Sequence, residues 1–193
     1  MAWDVVLTVP HGNPGEDRSA LDVARVLDLK LTDSGFDTAM LATLYSRKKG
    51  DANRPETRGR PFRKAIDEVL KKKKGTKLFI DVHSFRPMSK RFAGKDIVLL
   101  HTEGLQDIAF LKHYAFLLRK AARKKRYKDF LVRVEPARKP NDVCQQARDF
   151  GVACDSIMLA EHNDLDDSMG SAHYYAPLHL FAIKHLAKER GWE

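Results

Sequence analysis

Apolar residues in this chain come in short continuous runs, separated by longer stretches in which they recur every three or four positions. The runs are Val5-Val6-Leu7-Thr8-Val9, residues 38–44, Leu78-Phe79-Ile80-Asp81-Val82, Ile97-Val98-Leu99-Leu100, residues 130–134 and Ser156-Ile157-Met158-Leu159-Ala160. Runs of this length read as strands of a sheet buried on both faces. The stretches between them read as helices over 19–32, 62–73, 105–125, 141–150 and 175–189. In the first helix Leu21, Val23, Ala24, Val26, Leu27 and Leu31 make a broad stripe, and in the second Phe62, Ile66, Val69 and Leu70 share a face. Asp33-Ser34-Gly35 marks a turn, Gly75 ends the second helix, and Asn141 is placed to cap the fourth. Strands alternating with helices predict an α/β fold, a single mixed, mostly parallel sheet sandwiched by helices in one domain over 1–193.

In open α/β sheets, ligands bind just past the carboxyl ends of the strands. The first run delivers His11 and then the turn-forming Gly12-Asn13-Pro14-Gly15 with Glu16 and Asp17; the third delivers His83. Two imidazoles and a carboxylate suit a zinc ion with a position left for water. Glu16 can return to His11 through the turn, or serve as a first-turn acid of the following helix, and Asp17 and Asp22 are rival oxygen donors. Asp81 precedes His83 by two positions, which puts both on one strand face and lets the acid orient the imidazole. Glu161 ends the last run, where a solvated acid and a general base for water are the two readings. By period-two geometry His162 points to the opposite side. The acidic segment Asp164-Leu165-Asp166-Asp167 reads as a solvated loop, since it lacks the glycine and terminal glutamate of a calcium loop.

Charge adds a second clue. The chain carries a formal net charge of +9, with much of the excess in Lys71-Lys72-Lys73-Lys74 and in residues 119–126. Both runs fall where helices end, and cations suit the carbonyl end of a helix dipole. Few aromatic residues alternate with them, so nucleic-acid binding is the weaker expectation. The polar loop 46–61 holds Arg47, Asn53, Arg54, Arg58 and Arg60, and Arg63 follows it. Such a loop favours an anionic substrate, because arginine offers a rigid fork for a carboxylate. No apolar stretch is long enough to span a bilayer, Met1-Ala2-Trp3-Asp4 carries no secretory signature, and the chain has two cysteines; a cytoplasmic protein is expected.

Pro10-His11-Gly12, then Ser46-Arg47 followed by Asp51-x-Asn53-Arg54-Pro55, then Ile80-Asp81-x-His83-Ser84-Phe85 together resemble the N-formylglutamate amidohydrolase family, within the wider set of zinc carboxypeptidases and aspartoacylases. The likeness is carried by residues 5 to about 88 and thins beyond them. It implies a zinc-exopeptidase or phosphorylase-hydrolase-like sheet and a zinc ion held by His11, Glu16 and His83. It further implies Asn53 and Arg54 as the clamp for a substrate carboxylate and Glu161 as the catalytic base; Arg47, six residues before Asn53 in the polar loop, or Arg54 is then expected at the carbonyl oxygen. The activity so implied is hydrolysis of an amide or peptide bond in a small anionic substrate, an N-formylglutamate-like compound or another N-acyl amino acid. A basic nucleic-acid-associated protein and an inactive metal-binding relative are the alternatives.

Overall fold

The computed structural model describes every residue except 1–3, 14–15, 18, 47, 49, 73–74, 86–93, 166–167 and 193, and the side chain of residue 168. Strands β1 (Val5–Val9), β2 (Thr38–Ala42), β3 (Leu78–Phe85), β4 (Ile97–His101), β5 (Val132–Pro136) and β6 (Ile157–Asn163) form one sheet in the order β2-β1-β3-β6-β4-β5. Four of them, β2, β1, β3 and β6, run parallel; β4 is antiparallel to β6, and β5 runs parallel with β4. The expected mixed, mostly parallel sheet between helices is the observed one.

Helices α1 (Ala20–Thr32), α3 (Ile108–Lys124) and α5 (Ser168–Arg190) cover one face, and α2 (Pro61–Lys72) and α4 (Asp142–Asp149) the other. Alternation along the central strands divides the core accordingly. Val5, Leu7, Val9, Ile80, Val82, Met158 and Ala160 pack against the first group, while Val6, Phe79, Ile157 and Leu159 face the second. Fully burying an aliphatic side chain such as Leu27 or Ile80 stabilises the fold by about 1.5–3 kcal/mol. Asn141 caps α4 as expected, its side chain accepting from the Cys144 N–H at 2.8 Å. Gly75, beyond α2, has a φ of 86°, a conformation that glycine adopts without steric cost.

Differences from the expected boundaries include those at β3, β6 and α5. Strands β3 and β6 run on through His83-Ser84-Phe85 and Glu161-His162-Asn163, because the two segments stay in register from Phe79↔Ile157 to Phe85↔Asn163. Polar residues ended the apolar runs, but the strand ladder does not depend on them being apolar. Helix α5 begins at Ser168, well before the expected start at 175, and carries Pro177 in its interior. The turns before Pro177 are held by the burial of Ala172, Tyr175 and Ala176.

The acidic segment after β6 is not simply solvated. Asp164 is buried, and its Oδ1 accepts from the Ser19 N–H at 3.1 Å and from the Ser19 hydroxyl, so it satisfies a donor at the start of α1. No helix among the described residues is long and apolar enough to cross a membrane.

Candidate metal centre

Strands β1 and β3 deliver their histidines to one point. His11 follows β1 directly, while His83 lies near the end of β3, on the face that also carries Asp81. The two Nδ1 atoms stand 3.2 Å apart, and both side chains are almost fully buried. The third member of the group is Asp17, whose Oδ2 lies 2.7 Å from His83 Nδ1 and 3.4 Å from His11 Nδ1. Donors about 2.0–2.1 Å from a tetrahedral ion sit about 3.3 Å from one another. The three edges of this triangle, 3.2, 3.4 and 2.7 Å, fit that arrangement with a small opening of the shortest edge.

The acid at this point is Asp17 and not Glu16, which corrects the set of donors drawn from the family likeness. Glu16 closes a turn with its N–H on the Asn13 carbonyl at 2.9 Å, and its Oε1 accepts from the Ser46 hydroxyl at 2.9 Å. Asn13 reaches the Leu44 carbonyl at 3.2 Å. The turn is thereby pinned to the segment after β2, and the next residue, Asp17, is turned inward. Asp22 lies on α1, 3.9 Å from Arg25. Gly12 is required in this turn: a Cβ there would meet the Thr43 carbonyl oxygen at 2.9 Å.

Each imidazole is held through its other nitrogen by a carboxylate. His83 Nε2 lies 3.0 Å from Asp81 Oδ2, as the two-residue spacing suggests, and His11 Nε2 lies 2.7 Å from Asp51 Oδ1. Such partners fix the tautomer and raise the basicity of the nitrogen that faces a metal. Asp81 is itself fully buried and accepts from Thr8 Oγ1 at 2.6 Å and Asn141 Nδ2 at 2.7 Å. Burial works against a charged His83, but the Asp81 charge and the bonds to Asp17 and Asp81 outweigh it and hold the imidazole well above its ordinary range. Burial would likewise raise the Asp17 carboxyl; the bonds to His11 and His83 reverse this and hold it far below the usual carboxylate range. Without a cation, the donors share protons instead.

Asp51, Asn141 and Thr8 were not singled out for these roles. Asp51 was in view, inside the string that bears Asn53 and Arg54, but its contact with a histidine forty positions earlier is tertiary. Its loop is fastened to α4. Arg63 is fully buried, donating to the Ala52 carbonyl at 3.1 Å, the Asp142 carbonyl at 2.9 Å and Asp142 Oδ2 at 2.7 Å. Arg58 binds the same Asp142 carboxylate through two nitrogens, each at 2.9 Å. Asn53 Oδ1 accepts from the Val143 N–H at 3.3 Å.

Beside the two histidines opens a cleft of about 520 Å³ whose lining includes His11, His83, Asp51, Asn53, Arg54 and Glu161. Glu161 pairs with His83 in the β3–β6 register, which puts both side chains on one sheet face. Arg54 contributes a half-exposed guanidinium with Nε 3.3 Å from Asp51 Oδ2. Arg138 and Lys139 line the cleft as well, a pair of cations the sequence reading did not place there. His162 lies on the other face, as expected. Arg47, expected at the carbonyl oxygen, lies outside the described residues.

The fold is similar to that in the crystal structure of gene product Atu2144 from Agrobacterium tumefaciens, with a TM-score of 0.67 and 18% identity over 97% of this chain and 92% of that one. That likeness establishes the fold. No family model and no curated protein matches the chain.

Proposed function

We propose that this protein is a metal-dependent hydrolase of an amide or peptide bond in a small carboxylate-bearing substrate, with zinc as the metal. The observation that carries the reading is the meeting of His11 Nδ1, His83 Nδ1 and Asp17 Oδ2, with both histidines lining a cleft and each imidazole backed by its own carboxylate. The donor set, two neutral nitrogens and one acid, is that of an open zinc site. When bound, the ion supplies a Lewis acid that polarises a carbonyl and lowers the pKa of a water to about 7.

Glu161 takes the proton of the attacking water on its carboxylate and returns it to the leaving nitrogen. Its place beside His83 in the strand register supports that role. Asp51 and Asp81 keep the imidazoles oriented throughout. Arg54 presents a planar fork to the substrate carboxylate, and the Asn53 amide nitrogen adds a donor while its oxygen stays on α4. Arg47 is assigned to the carbonyl oxygen from its place in the polar loop, six residues before Asn53. Both cysteines are free thiols, which suits a reducing, cytoplasmic setting.

Metal analysis joined to a hydrolysis screen tests the proposal. The purified protein should hold one zinc per chain, hydrolyse N-acyl glutamates or aspartates, and lose activity to a chelator. Glu161→Gln should keep the zinc and lower turnover by about 10²–10⁴-fold. A zinc-loaded wild type that cleaves no N-acyl amino acid, or a Glu161→Gln variant as fast as wild type, would overturn it.

A further inference from the structure

Behind the same two strand ends, on the opposite face of the sheet, lies a polar chain inside the apolar core. The Tyr114 hydroxyl is 3.0 Å from His179 Nδ1, His179 Nε2 is 2.8 Å from His162 Nε2, and His162 Nδ1 is 3.0 Å from the backbone oxygen of His83. Tyr114, His162 and His179 are no more than 1% exposed. The direction of every proton follows from one end. A carbonyl only accepts, so His162 Nδ1 carries the hydrogen. A neutral imidazole has one N–H, so His162 Nε2 accepts and His179 Nε2 donates. His179 Nδ1 then accepts from the Tyr114 hydroxyl. Burial holds both imidazoles below their ordinary range and the phenol above its own, which keeps all three neutral.

The end of β3 has a mechanical need for this chain. β1 stays in register with β3 as far as Thr8↔Asp81, whereas β6 continues to Phe85↔Asn163. The part of β3 that bears His83 has therefore run past β1. His162, the residue after Glu161, reaches from β6 to the His83 peptide and ties it through α5 to α3.

We propose that Tyr114, His179 and His162 are positioning residues that hold the His83 peptide from behind the sheet, and with it the imidazole and the adjacent Glu161 on the cleft face. The functional consequence rests on reading the triad as a metal centre. A satisfied one-way chain has a single low-energy arrangement, whereas loss of the Tyr114 donor leaves His179 Nδ1 a buried acceptor, and the imidazoles that turn to relieve it loosen their hold on the His83 carbonyl.

Tyr114→Phe tests this with the least change, because it keeps the ring and removes only the terminal donor. Hydrogen exchange followed by NMR should quicken at residues 82–85 and 160–163 ahead of the rest of the sheet. Zinc affinity, read by chelator competition, should weaken by about tenfold, the lower range for loss of a partner outside the metal's own ligands. Leu118→Ala, in the same helix and core, is the control: it should raise exchange throughout and leave zinc affinity unchanged. Long-range proton–nitrogen spectra should find His162 protonated on Nδ1 and His179 on Nε2. Opposite tautomers, or a Tyr114→Phe protein indistinguishable from the Leu118→Ala control in where exchange quickens, would overturn the positioning role. A wild type that takes up no zinc would remove the metal reading alone, and the exchange pattern and tautomers would still decide the positioning.

Discussion

The rings of His11 and His83 stand 4.9 Å apart at 65°, and those of His162 and His179 stand 5.0 Å apart at 65°. Both pairs are buried, and the strand pair β3–β6 supplies one member of each from opposite faces. Their chemistry nevertheless diverges. Asp17, Asp51 and Asp81 surround the first pair, while the second has a phenol and a peptide carbonyl. Burial pushes His83, His162 and His179 toward neutrality. At His83 the Asp81 charge and the bonds to two carboxylates overcome it, whereas at His162 the bond to the His83 carbonyl offsets only part, and the pKa falls to about 4. Geometry and burial are shared by the pairs, so it is the carboxylates that make the first a group able to hold a cation and leave the second a neutral strut, each as proposed.

The sharpest way to break this contrast is to exchange the acids around the first pair. Asp17→Ala should abolish stoichiometric zinc, while Glu16→Ala should retain it. Asp51→Ala and Asp81→Ala should each weaken zinc about 10–100-fold, since they orient ligands without being ligands. Zinc content and chelator competition give the answer. Equal retention in Asp17→Ala and Glu16→Ala would return the donor set to an open question.

A second test bears on what holds Asp51 in place. Arg63→Met removes a fully buried cation and leaves Asp142, Gln146 Oε1 and the Ala52 carbonyl without it, so stability should fall by about 3–5 kcal/mol. Denaturant unfolding measures the loss. Zinc affinity should fall with it, because Ala52 adjoins Asp51; undiminished affinity would show that the loop is held by Arg58 and Asn53 alone.

His83 and His162 should also respond oppositely to pH in metal-free protein. His162 binds its proton near pH 4 when folded and near 6.5 when unfolded, so between those values the unfolded state holds more protons. Acidification across that window should therefore cost about 3 kcal/mol at this residue, with no contribution above it. His83, raised when folded, contributes stability that is complete below pH 6.5 and is lost as pH rises through its folded value. Unfolding free energies measured across pH would separate the two, and His162→Gln should make the acid limb shallower while leaving the alkaline one.

The smallest expected effect calibrates the strut's side. Asp107 caps α3, the helix that bears Tyr114, accepting from the Ala109 N–H at 2.7 Å. Asp107→Ala should cost about 1 kcal/mol by thermal unfolding and leave zinc affinity untouched. A shift in affinity would mean that any loosening of α3 reaches the metal centre, with no special part for the hydrogen-bonded chain.

Much of this was legible in the chain before any coordinates. The apolar runs marked six strands and the periodic stretches five helices, because burial on one or both faces writes its period directly into the sequence. His11 and His83 were legible as strand-end donors, and Asp81 as the acid behind His83, because two residues apart in a strand share a face. Glu161 was legible as an acid at the same sheet edge. These inferences need only local geometry and the parallel direction of β1, β3 and β6.

The tertiary structure decided the rest. Choosing Asp17 over its neighbour Glu16 depended on Asn13 and Glu16 being pinned to Leu44 and Ser46, some thirty residues away. The partner of His11 was settled only when the loop carrying Asp51 was clamped by Arg63 to α4. His162 and His179 became a neutral strut because α3, α5 and β6 enclose them without a carboxylate. A strand or helix fixes which way a residue points within a few neighbours; charge and hydrogen-bond partners in a buried site come from segments far along the chain, and sequence spacing carries no measure of those distances.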